Sequence, residues 1–174
     1  MAIMDDRIDA LLADIEAADT AAQAHVRRGE FGEEVTGQAA ERTLLERMRG
    51  ALGSTVQVTL PGRSITGTAC FLGRDIIVLA GAEASVIAIR AVRGFRLITR
   101  VHRFDAGGLE RLGLGSALRR WSAAYEEVSI DVADSAGSIR GRCALVASDY
   151  VEIAGRIIPF AAINAVHART NPFG

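Results

Sequence analysis

The spacing of apolar residues changes period near residue 53. Before it, Ile8, Leu11, Leu12 and Ile15 fall at i, i+3, i+4 and i+7, one face of a helix over residues 5–28. Alanines, good helix formers, fill the remaining positions. Gly29 and Gly32 bracket a break. A second helix runs from Glu33 or Thr36 to Arg49, with Leu44, Leu45, Met48 and Leu52 as its apolar side, and Gly50 and Gly53 stop it. Two antiparallel helices and one long kinked helix both fit. Such a segment either packs on the rest of the chain or forms a dimer contact.

After Gly53 the period becomes two. Val56, Val58 and Leu60 alternate with polar neighbours, which predicts a half-buried strand. Pro61-Gly62 is a turn signal. Ile65, Gly67 and Ala69 continue as a second strand, and Gly73-Arg74-Asp75 turns the chain again. Short buried strands follow at Ile76–Ala80 and Val86–Ile89, and the series ends with Val92–Val101. Five short strands joined by tight turns describe a small barrel. Helical spacing then returns at Leu114, Ala117, Leu118 and Trp121, after a flexible entry at Gly107-Gly108 and with Ser116 as a candidate cap.

The strand pattern recurs beyond that helix. Val128, Ile130 and Val132 match Val56, Val58 and Leu60, and Ile139-Arg140-Gly141 matches Ile65-Thr66-Gly67. Val151 and Ile153 match Ile77 and Leu79, and residues 157–163 match residues 86–92. Asp75 and Asp149 each stand eight residues after a mid-strand glycine, Gly67 and Gly141. A period near 72 residues predicts an internal repeat. A mid-strand glycine lets a strand bend sharply or lets another backbone come close. An aspartate after a turn bonds backbone N–H groups nearby. Gly67, Asp75, Gly141 and Asp149 are therefore structural turn residues on this reading.

The order of a turn, a bent strand with a central glycine, an aspartate and an apolar strand resembles the Sm-like small-barrel superfamily. Val56–Leu79 carries its first part, and Val86–Val92, with Ile89-Arg90, is similar to its second motif. The whole arrangement, with Gly113–Arg119 between the two runs, resembles uncharacterised actinobacterial proteins with tandem Sm-like (SH3-like) barrels behind an N-terminal helical segment. RNA-binding Sm proteins place an Asn ten residues after the strand glycine. Here those positions are Ile77 and Val151, and the second run has Phe160-Ala161 where the first has Ile89-Arg90. The resemblance thus implies the fold, while the uracil-reading pocket is altered. Few aromatic side chains, among them Phe71, Phe95, Tyr150 and Phe160, are placed to stack on a base.

Composition narrows the function classes. The 174 residues are 49% hydrophobic with a net charge of −1, which excludes a disordered chain and a globally basic nucleic-acid binder. No apolar run approaches the roughly 18 residues of a membrane span. The acidic residues among the first twenty exclude a signal peptide. All 20 basic residues are Arg, which fits GC-rich codons and, secondarily, guanidinium chemistry at phosphate sites. Cys70 and Cys143 read as buried thiols. His25, His102 and His167 have no ligand partner at metal spacing, and neither Ser116 nor the glycine pairs lie in a catalytic or phosphate-binding motif. The chain reads as no enzyme, with neither cofactor nor metal. Arg90, Arg93, Arg96, Arg100, Arg103, Arg111, Arg119 and Arg120 face only Asp105 and Glu110 over residues 90–120, a net +6, whereas residues 1–50 carry −5. This asymmetry fits RNA contact, docking of the acidic helices on the basic segment, or a solvated face.

The expected protein is α+β. A helical region spans residues 1–52, a first Sm-like barrel 53–104, a linker helix 105–125 and a second barrel 126–170. Its expected role is non-catalytic binding or scaffolding in the cytoplasm, as a homodimer closed through the N-terminal helices, for a partner the sequence does not name. The alternative is RNA binding through Arg90, Arg93, Arg96, Arg100 and Arg103.

Overall fold

A computed structural model describes residues 43–99, 111–135 and 137–174. The helix expected over 5–28, most of the second helix, and the glycine pair at 107–108 lie outside them. Residues Leu45–Gly174 form one compact unit.

A short helix α1 (Leu44–Arg49) leads in, and of its expected apolar side only Met48 is fully buried. Strands β1 (Thr55–Leu60), β2 (Arg63–Leu72), β3 (Ile76–Ala80), β4 (Ala84–Ala88) and β5 (Gly94–Thr99) follow. Gly62 makes the first turn at φ +75°, a backbone state that glycine adopts without strain. Helix α2 (Leu114–Ala123) falls where the apolar spacing places it. Gly113 is its N-cap, and Ser116 lies inside the helix rather than capping it. The second run holds β6 (Glu127–Val132), β7 (Ser138–Val146), β8 (Tyr150–Ile153), β9 (Arg156–Pro159) and β10 (Ile163–Ala168).

All ten strands join one open antiparallel sheet in the order β5-β1-β2-β3-β4-β10-β6-β7-β8-β9. This overturns the two Sm-like barrels joined by a helix, and with them the repeat read as two barrels. The outer edge of β4 does not turn back on its own run. It pairs with β10, Ala165 facing Ile87 and Val166 facing Val86. Burial explains the choice. Every residue of β4 is buried, as are the first four of β3, so these strands need cover on both faces. Ile76, Val78 and Val86 enter one core with Leu118, Trp121, Ile130, Val151, Ile158 and Val166. Ile77, Leu79 and Ile87 enter another with Met48, Val56, Val58 and Ala165. A closed small barrel would leave one of these apolar faces in water. Helix α2 is no connector between barrels either. It lies against β7 and β4, burying Leu114, Ala117, Leu118 and Trp121 in the first core.

Candidate functional site

The pairing of β4, β10 and β6 brings together side chains distant in sequence. Register sets His167 opposite Ser85 on one side and Ser129 on the other. Ser85 Oγ lies 2.9 Å from His167 Nδ1, and His167 Nε2 lies 3.0 Å from Asp131 Oδ2. Arg63 Nη1 donates to the same carboxylate oxygen at 2.7 Å. The acid beside Nε2 places the ring proton there, which leaves Nδ1 to accept from the Ser85 hydroxyl. Arg63 and Asp131 also line a half-open groove of about 670 Å³ with Asp134, Ser135, Ser138 and Asn164.

Serine, histidine and aspartate in a row invite comparison with a nucleophilic relay, but the polarity is reversed. Such a relay needs its hydroxyl at the substrate. Here Ser85 is 6% exposed, and the groove opens at the Arg63–Asp131 end. The Ser85–His167–Asp131 row is a buried polar link whose outer end, the exposed Arg63 guanidinium on Asp131, faces the groove. No local spacing reveals it, since its members stand 82, 36 and 68 residues apart. Register alone brings them together.

Of the residues expected at structural turns, Gly67 is required by close approach. A Cβ there would sit 2.7 Å from the Ala80 carbonyl oxygen of β3. At Gly141 a Cβ would meet Ile153 at 3.4 Å and Ala154 at 3.8 Å, both ordinary contacts. Asp75 reaches beyond its turn. Its Oδ1 accepts from Leu114 N at 3.3 Å, at the start of α2, and a Cβ on Gly113 would lie 2.5 Å from that oxygen. The Asp149 carboxylate accepts from Ser148 Oγ at 3.4 Å. Both backbone carbonyls are used alike, Asp75 by Ile89 N at 2.9 Å and Asp149 by Phe160 N at 2.7 Å.

The arginine-rich stretch is partly consumed by the fold. The Arg90 guanidinium donates to the carbonyls of Phe160 and Ile163, the latter at 2.6 Å. Arg119 donates to Ala147 O at 2.8 Å. Arg120 donates to Pro172 O at 2.7 Å and lies over the Phe173 ring. Arg93 and Arg96 remain exposed beside or on β5. Arg100 and Arg103 lie outside the described residues. Arg90 also borders a second cavity of about 490 Å³ with Arg74, Asp75, Ile89 and Phe160.

The thiols expected to be buried are not: Cys70 is exposed and Cys143 half-buried, though partial desolvation still pushes both above their ordinary pKa, so they stay protonated near neutral pH. Cys70 Sγ donates to Val78 O and accepts from Asn171 Nδ2, each at 3.4 Å. Of the three histidines, His167 alone is described, held in the polar link. Among the described residues no cluster of three or more His, Cys, Asp or Glu is placed to hold a metal ion. No described helix is long and apolar enough to cross a membrane.

The outer edges of the sheet are β5 and β9. Among the described residues no strand covers either. Each carries an exposed apolar side chain, Ile98 on β5 at 46% and Ile157 on β9 at 67%. No protein-family model matches this chain, and no curated protein does.

Proposed function

We propose that this is a non-catalytic binding or scaffolding protein of the cytoplasm that engages an extended protein segment along a sheet edge. The two edges carry the reading. The outer sides of β5 and β9, which no other described strand covers, fit strand addition beside exposed Ile98 and Ile157, with main-chain bonds giving affinity and side chains specificity. Two protonated free thiols agree with a reducing compartment. The proposed homodimer forms through the segment before residue 51. A monomeric mass for the intact chain in light scattering would rule that dimer out. RNA binding is the second reading, favoured by the exposure of Arg93 and Arg96 and weakened by the engagement of Arg90.

Capture of partners from native cells, with and without nuclease, separates the two. The wild type and an Ile157→Asp variant serve as baits. Edge binding predicts partners that survive nuclease and are depleted by the substitution. Loss of all partners on nuclease treatment, with Ile157→Asp unchanged, overturns the proposal in favour of RNA.

A further inference from the structure

The junction between β4 and β10 shows what a copy of this sheet would meet at its own edges. The two runs of strands have the same order of neighbours, β5-β1-β2-β3-β4 and β10-β6-β7-β8-β9. Their registers correspond as well. Val56 faces Gly67, and Val128 faces Gly141. From these anchors Val58 corresponds to Ile130. Phe95 faces the first and Val166 the second. One residue along, Arg96 faces Gln57 and His167 faces Ser129, so Arg96 holds the place of His167. On the other side Leu79 faces Ser85 and Ile153 faces Arg156, so Arg156 holds the place of Ser85.

Suppose a second copy laid its β5 along β9 as β10 lies along β4. Phe95 would then face Ile157, and Arg96 would face Arg156. Within the chain those positions hold the Ser85–His167 pair, backed by Asp131 and Arg63. Between copies two guanidinium groups would meet, with Thr59 where Asp131 stands. Like charges directly opposite oppose strand pairing. Pro159, which has no N–H to give a ladder, ends the same four-residue edge strand.

We infer that Arg96 and Arg156 are an electrostatic stop that keeps β5 of one copy from adding to β9 of another and so limits the sheet to ten strands. The stop leaves both edges free for a different partner. It needs only that the edges be open, and so does not depend on the identity of that partner.

Charge reversal tests this on the full chain. Arg96→Glu and Arg156→Glu each turn the facing pair from like to opposite charges. Each single variant gains about two- to thirtyfold in self-association. The contact is head-to-tail, so species beyond a dimer form. The double variant restores like charges and returns to wild-type behaviour. Light scattering over a concentration series reads mass relative to the wild type, at low and high salt. Circular dichroism checks folding, and the milder Arg96→Gln, which removes repulsion without adding attraction, gives a smaller gain. Single variants no different from the wild type overturn the inference, as does a double variant that associates as strongly as the singles.

Discussion

Replacing Asp131 by Ala removes the carboxylate from the polar link at the β6–β10–β4 seam. Two bonds are lost, of unequal worth. The bond to His167 joins side chains 8% and 14% exposed, so water does not replace it, and losing it costs about 1.5–3 kcal/mol. The bond to Arg63 involves a guanidinium 47% exposed, and an ion pair so wet contributes about 0–1 kcal/mol. The expected total is about 1.5–4 kcal/mol, a fall in Tm of roughly 5–15 °C for a domain of this size. Arg63→Ala is the control and costs under about 1 kcal/mol. Urea unfolding of the wild type, both single variants and Ser85→Ala gives the values. Pairing Asp131→Ala with Ser85→Ala tests whether the two ends are coupled through His167, with an expected interaction of about 0.5 kcal/mol or more. Should Arg63→Ala cost as much as Asp131→Ala, the stabilisation lies in the wet ion pair, and the reasoning about the buried arm fails.

Gly67→Ala brings a methyl 2.7 Å from the Ala80 carbonyl oxygen, and unfolding should show a loss of about 1–3 kcal/mol from the strain of overpacking. Gly137→Ala, with open space around its Cβ position, should change stability by less than about 0.5 kcal/mol. Arg90→Lys keeps the charge but cannot hold two carbonyls in one planar fork, so thermal unfolding should fall by about 1–2 kcal/mol even without any RNA. For the thiols the folded pKa lies above the unfolded one. As pH rises past about 8.5 the folded state therefore keeps more protons than the unfolded state, and stability declines from there upward. A Cys70→Ala, Cys143→Ala double variant should flatten that decline in unfolding curves measured across alkaline pH.

Strands with an alternating or continuous apolar pattern were legible. The alternation of Val56, Val58 and Leu60 is the burial pattern of β1, and the unbroken run Ile76–Ala80 is β3. The same run held a clue to the architecture. A strand apolar at every position buries both faces, which one small barrel does not provide. The element that decides the topology is β10, where Ile163-Asn164-Ala165-Val166-His167-Ala168 has neither strict alternation nor a marked share of β-branched residues. Its partner β4 stands about 80 residues earlier, and no local pattern encodes a pairing at that distance. The polar link was hidden for the same reason. Clustered charge misled in the opposite direction, because arginines at 90, 119 and 120 are spent on carbonyl oxygens of later residues.

The β4–β10 ladder also fixes an order of events during synthesis. Ala84–Ala88 leaves the ribosome long before Ile163–Ala168 exists. Throughout that interval the nascent chain holds a strand whose five residues all end up buried, with one hydrogen-bonding edge unmet. Such an edge is a template for wrong pairing, and contacts of long sequence separation form slowly. The first run of strands is thus a half-product whose apolar edge waits for the last strand. A chain ending before residue 163 would keep that edge bare and be prone to aggregate. Completion of the sheet waits on the synthesis of Ile163–Ala168.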